Sequence, residues 1–353
     1  MTVRLTRRAF VGAAVAAPAL AALPISLQSV GAQDAGFIVT MVTDTAGLGD
    51  QNFNDLANAG GTLAATDFGI EWKVIESVDI PSYVPNLSAG AEQGPLTVGV
   101  GFLLTDAIGA VAAQYPDAHF ALIDAAVEAP NVQSVLYKEQ DPSFLAGVAA
   151  GLMTQTNKIG IIGGQRIPPV IRYEVGFRAG VEAVNPDAEI IIAYADSFAD
   201  PDKGKEFALA QFADGADFIL PIAGLTGVGA YTAVAELGNE GSQWVIGADV
   251  TQEQNAPGYE AFVIRKGVDT GAYQAIEQEV NGAFVSGINV LGIAEGGVGF
   301  EDPNGRVPAE VQAQVDEWQA QILDGSLVVP STDEEYEAFS VGGVASPEAS
   351  PAA

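Results

Sequence analysis

The stretch GFIVTMVTDTAGLGDQNFNDLANAG, residues 36–60, decides how the chain is read. It opens with an apolar run at 36–43 that does not alternate polar with apolar, as expected of a strand buried on both faces. Asp44 follows at once, a glycine-bearing turn comes next, and from Phe53 to residue 66 apolar residues recur at helical spacing. Strand, acid-bearing turn and amphipathic helix make one unit of a parallel sheet covered by helices. The unit recurs down the chain. Strands are predicted at 71–76, 96–101, 118–123, 132–137, 158–162, 188–195, 216–223, 243–248 and 261–265, with helices at 105–114, 143–154 and 201–213.

The chain has 353 residues, 48% of them hydrophobic, so its size favours two sheets of about five strands over a single sheet. The expected fold class is therefore α/β with two lobes, each a parallel sheet flanked by helices. A break falls at 138–142, and the long helical pattern at 268–284 is expected to cross back to the first lobe. This gives an N-terminal lobe of residues 36–137 plus about 268–300, and a C-terminal lobe of 138–267 plus about 301–335. Residues 345–353, ASPEASPAA, read as a disordered tail.

Composition removes several classes of function. Asp and Glu total 45 against 14 Lys and Arg, and a surface with a formal charge of −31 repels nucleic acid and anionic lipid. With no cysteine, disulfides, thiolate metal sites and a lipid-bearing cysteine have no residue to build on. His119 is the single histidine and reads as structural, at a turn entering a strand. At the N-terminus, Arg7-Arg8 precedes an apolar stretch and the small-residue site Val30-Gly31-Ala32. Residues 1–32 thus resemble a twin-arginine export signal cleaved near Ala32, and the mature chain is expected in the periplasm or outside the cell. Its removal takes away three arginines and no acid.

No cofactor or metal is expected. The run Asp50-Gln51-Asn52-Phe53-Asn54 starts like a calcium loop, but Asp55 stands where the glycine is required. Gly227-Val228-Gly229 lacks the third glycine of a dinucleotide fingerprint. The polar groups that remain converge on strand ends: Asp44, Asp124, Asp196 and Asp249 each follow a predicted strand. In parallel sheets those ends share one edge, where ligands bind. Each acid is equally open to a second reading as the N-cap of the next helix, and Asp200, followed by Pro201, reads as a cap only.

Six stretches carry a family resemblance: VTDTAGLGDQNFNDLANAG (42–60), VGVGFLLTDAIGAVAAQYPDAHFALID (98–124), SFLAGVAAGLMTQTNKIGIIGG (143–164), SFADPDKGKEFA (197–208), GADFILPIAGLTGVGA (215–230) and WVIGAD (244–249). In this order they resemble the basic membrane protein family of ABC-transporter solute-binding proteins, whose best understood members are purine-nucleoside receptors. The resemblance implies a type I periplasmic-binding fold with a ligand, purine nucleoside favoured, in the cleft between lobes. It also implies a monomer that delivers its ligand to a membrane permease. Carried over by position, Phe53 and Phe198 stack on the two faces of the base, Asn54 stands beside Phe53, and Asp44 meets the base edge. Asp124, Asp249 and Lys266 hold the ribose, and the backbone of Gly227 meets the ligand. The family's lysine in the turn before Phe53 is absent, as are a second acid after Asp249 and a serine before Lys266. Those departures leave open a flavin, a thiamine-like ring or a sugar in the same cleft, and a ligand-sensing receptor in place of a transporter component. A carboxylate-pair hydrolase is the enzymatic alternative, and the acids fit hydroxyl acceptors better.

Overall fold

A computed structural model describes residues 37–342. The export signal read at 1–32 and the tail at 345–353 lie outside these residues. In chain order the first half runs β1 (Ile38–Val42), α1 (Phe53–Phe68), β2 (Glu71–Ile75), α2 (Tyr83–Gln93), β3 (Leu96–Val100), α3 (Thr105–Ala112), β4 (His119–Ile123) and β5 (Val132–Tyr137). The second half runs α4 (Gln140–Met153), β6 (Lys158–Gly163), α5 (Pro168–Val184), β7 (Glu189–Tyr194), α6 (Pro201–Ala213), β8 (Phe218–Ile222), α7 (Val228–Leu237), β9 (Trp244–Asp249) and β10 (Glu260–Lys266). Then follow α8 (Val268–Val280), β11 (Gly287–Leu291), β12 (Val298–Glu301), α9 (Ala309–Asp324) and α10 (Asp333–Gly342).

Two six-stranded sheets result, ordered β11-β5-β4-β3-β1-β2 and β12-β10-β9-β8-β6-β7. Pairing is parallel except for β12 against β10. The ten predicted strands are present, and the central ones are buried along their whole length, as their unbroken apolar runs require. The two further strands are edge strands. β11 is mostly exposed and holds Gly287 and Asn289, and β12 has four residues, so neither carries a buried run. The changeover placed near residue 300 cuts through β12, which pairs with β10 in the second sheet.

Each sheet is covered on both faces. Ala57, Ala64, Val268, Ala275 and Ile276 of α1 and α8 pack on one face of the first sheet, and Leu87, Ile108 and Val111 of α2 and α3 on the other. In the second half, α4, α5 and α9 meet one face around Phe144, Phe177 and Trp318, while Phe212, Tyr231 and Val234 of α6 and α7 cover the other. Asp200 caps α6, its side chain accepting from the Lys203 N–H at 3.0 Å, with Pro201 opening the helix. Within the described residues the chain crosses between halves three times, at residues 138–139, at Gly267 and at 292–297. Among the described residues no helix is long and apolar enough to cross a membrane.

Candidate functional site

A cavity opens where the carboxyl ends of both sheets face each other. It is lined by Asp44 after β1, Gly101 after β3, Asp124 after β4, Ala223 and Gly224 after β8, Asp249 of β9 and Lys266 of β10. This is the edge at which parallel α/β sheets bind ligands. The cavity is a slot of about 610 Å³ free of protein atoms, part of it open to solvent.

Each half sends two aromatics to the slot, Phe53 and Phe102 from the first and Tyr173 and Phe198 from the second. Phe53 is the first residue of α1 and lines the cavity, while Ala57, Gly60 and Ala64 further along the helix are buried. The apolar series that begins at Phe53 is therefore a core stripe with a cavity-facing head. Phe198 lies in the loop between β7 and α6, with its ring over Gly164, where a Cβ would come within 2.3 Å of it. Only glycine leaves room for that ring.

Near Phe53, Asp44 is buried and held in place. The amide nitrogen of Asn54 donates to Asp44 Oδ1 at 2.9 Å and to Asp50 Oδ2 at 3.0 Å, and Asn54 Oδ1 accepts from the Asp44 N–H at 3.3 Å. The Ala46 N–H also donates to Asp44 Oδ1, at 2.9 Å. Asp44 Oδ2 lies beside Gly101 on the cavity wall. Burial pushes the Asp44 carboxyl up to about 6, with the Asn54 and Ala46 hydrogen bonds acting against it. Asn54 thus borders the cavity but spends its amide on two acids: it aims Asp44. Asp50 accepts from the N–H groups of Asn52, Asn54 and Asp55, so its carboxylate holds the first turn of α1, where the N-cap residue Asn52 makes no side-chain cap bond.

The opposite end is a buried charge cluster. Lys266 Nζ lies 2.6 Å from Asp124 Oδ2 and 2.9 Å from Glu139 Oε1. Arg172 on α5 holds Glu139 from the other side, Nε to Oε2 at 2.5 Å and Nη2 to Oε1 at 3.2 Å. The Tyr173 hydroxyl donates to Asp249 Oδ1. Burial pushes the Asp124 carboxyl up to about 6 against the pull of Lys266, and it raises Asp249 as well. Burial opposes the charge on Glu139 too, yet Lys266 and Arg172 together hold it below the usual carboxylate range. Lys266 is held above the usual lysine range, because Asp124, Glu139 and Asp249 outweigh its burial. Its ammonium is also 5.2 Å from the Phe53 ring centre.

The expected residues are sorted by this geometry. Asp44, Phe53, Asn54, Asp124, Phe198, Asp249 and Lys266 all border the cavity. Gly227 does not: it is buried at the start of α7 against Pro221, and Gly224 takes the place by the slot. Asp124 and Asp249 have φ of 80° and 65°, whereas a helix N-cap takes extended backbone, so neither is a cap. Asp196 also closes a strand, but that strand is the edge strand β7, and the residue is exposed away from the slot.

Glu139, Arg172 and Tyr173 were not found from the sequence. Glu139 reads as part of a polar linker, and the other two lie within an ordinary amphipathic helix. One signal was available for Glu139. It stands at one crossing between the halves and Lys266 at another, with opposite charges.

The chain matches the family model for ABC transporter substrate-binding proteins of the PnrA-like type, called Bmp, over residues 37–333. It is 34% identical over 314 residues to the CD4+ T-cell-stimulating antigen of Listeria monocytogenes, covering 83% of this chain and 88% of that one. It is 32% identical over 311 residues to the ABC transporter nucleoside-binding protein BmpA of Lactococcus lactis, covering 82% and 88%. A lipoprotein of Pyrococcus horikoshii is 33% identical over 280 residues, 76% of this chain and 69% of that one. Among solved structures, an ABC transporter solute-binding protein of Aeropyrum pernix superposes with a TM-score of 0.80 at 29% identity, covering 87% of this chain and 98% of that one. One from Conexibacter woesei gives 0.66 at 25% identity, covering 84% and 99%. This two-lobed α/β chain, with its slot between the lobes, belongs to the Bmp family of ABC transporter substrate-binding proteins.

Proposed function

We propose that the protein is an exported component of an ABC importer that captures a nucleoside, purine favoured, between its two lobes and presents it to a membrane permease. The observation that carries this reading is the composition of the slot. Phe53 from one half and Phe198 from the other suit the two faces of a flat ring, and stacking contributes about 1–3 kcal/mol per base. Asp44, Asp124 and Asp249 offer charged acceptors to N–H and hydroxyl groups, the stronger class of hydrogen bond. Lys266 and Arg172, the cations of the buried cluster, are already bound to carboxylates, so a phosphate finds no free cation there. A nucleoside matches this pattern and a nucleotide does not. The name of the Lactococcus relative agrees with it. Capture, with no bond made or broken, is the act the geometry serves. A ligand bridging both halves favours the closed form by its contacts to each.

The test is a thermal-shift screen of the chain from Gln33 onward, unfolded and refolded to remove carried ligand. Nucleosides, bases, nucleotides, riboflavin, thiamine and sugars form the panel. A ligand at 100 times its Kd adds about 2.7 kcal/mol of stability. Stabilisation by nucleosides and not by nucleotides is expected. A response to another solute alone would overturn the nucleoside assignment.

A further inference from the structure

The three crossings between halves are tied to one another. The Lys138 N–H donates to the Leu291 carbonyl at 3.1 Å, and the Gly267 N–H to the Gly297 carbonyl at 2.7 Å. The Tyr137 hydroxyl donates to the Gly267 carbonyl at 3.0 Å. Glu139 adds a buried ionic tie. It stands in the first crossing, fully buried, and binds Lys266, the last residue before the second crossing. Lys266 in turn reaches Asp124 at the end of β4 in the other half, while Arg172 anchors Glu139 to α5. An unbroken chain of charged contacts therefore runs from the cavity wall to the hinge.

We propose that Glu139 is a positioning residue that couples the slot to the hinge: by holding Lys266 against Asp124 it keeps the two halves in their closed arrangement. Two long-range consequences follow. Neutralising Glu139 frees the lysine from the crossing and shifts the population toward open forms. Ligand affinity then falls by the factor by which the closed fraction falls. The inference deepens the reading of the slot as a ligand site, although its first readout needs no ligand.

The chain has no cysteine, so two introduced thiols are unique labelling sites. Val78 follows β2, and Asp202 is in the first turn of α6, the helix that follows β7; both are exposed, and those strands lie at the sheet ends farthest from β11 and β12. Spin labels on Val78→Cys and Asp202→Cys report the separation of the halves in ligand-free protein. Glu139→Gln is expected to lengthen that distance at pH 7.5, and Lys138→Ala, an exposed neighbour in the same crossing, to leave it unchanged.

A pH series adds a readout that simple packing would not move. Lys266, Glu139, Arg172, Tyr137 and Tyr173 face Asp124, and the negative charge of Glu139 favours its protonated form. The further separation that comes with protonation of Asp124 should therefore set in at lower pH in Glu139→Gln than in the parent, on top of the longer distance at pH 7.5. Should that variant fail to fold, Glu139→Gln with Lys266→Met removes both charges together, a change buried pairs often tolerate, and it too should lengthen the distance. An unchanged distance and an unchanged pH midpoint would overturn the coupling. A parent protein that ignores every nucleoside overturns the ligand assignment alone, since the distance is read without ligand.

Discussion

Lys266 Nζ lies 2.6 Å from both carboxylate oxygens of Asp124, although 142 residues separate the two in sequence and they close strands of different sheets. The pair joins the halves at the wall of the slot, and Lys266 is only 2% exposed. Asp124→Asn keeps the shape and removes the charge. Losing a charged acceptor for a ligand hydroxyl costs about 2 kcal/mol, roughly thirtyfold in Kd. Calorimetric titration of the variant with the best nucleoside of the panel should show that loss. A Kd within threefold of the parent's would mean that Asp124 only holds the lysine.

The two aromatics should answer differently to truncation. Phe198 lies in a loop over Gly164 and only its edge meets the core of the second half, so Phe198→Ala should weaken binding about tenfold to a hundredfold with a smaller loss of Tm than Phe53→Ala. Phe53 also packs against the core beside α8 and stands below the Lys266 ammonium, so Phe53→Ala should lower both affinity and Tm. Thermal melts with and without ligand separate the two effects. Equal loss of stability in both variants would contradict the loop placement of Phe198.

What could be read from the sequence follows burial. Strands such as β3 and β8 are buried at every residue, and their apolar runs announce them. β11 shows Ile288 and Val290 to solvent around Asn289, so its pattern carries no burial signal. The cavity acids were visible because a parallel sheet places every strand end on one edge, and a lone acid after an apolar run marks that edge. Sequence distance hid the cluster behind them. Glu139, Arg172 and Lys266 meet only after the chain has crossed between halves and come back. Gly227 illustrates the same limit at short range. It and Gly224 lie three residues apart in a glycine-rich turn, and the fold of that turn selects which of them lines the slot.

Packing of α1 on α8 should be sensitive to a single methyl group. A Cβ on Gly60 would lie 2.1 Å from the Asp269 carbonyl oxygen, and backbone cannot move aside as a side chain can. Gly60→Ala should therefore destabilise the protein by about 1–3 kcal/mol, despite the better helix propensity of alanine. Denaturant melts measure it. Because α8 follows the second crossing, a loss confined to stability would leave nucleoside affinity near the parent's, and a large loss of affinity would show that α8 also sets the hinge.

Acidification should move stability and binding in opposite directions. The carboxyls of Asp44 and Asp124 are each pushed up to about 6, burial being the largest cause in both, whereas in the unfolded chain an aspartate titrates near 3.9. The folded form therefore holds more protons than the unfolded one between about pH 4 and 6, and stability rises as pH falls through that window. Partial discharge of a chain with net charge −31 acts in the same direction. A ligand hydroxyl or N–H requires the ionised acceptor, so stabilisation by nucleoside should shrink over the same range. Melts from pH 7.5 to 5, with and without ligand, should converge from opposite slopes. Asp44→Asn should lack its share of both trends. A ligand-induced shift that stays constant down to pH 5 would rule out ionised Asp44 as the group that meets the base.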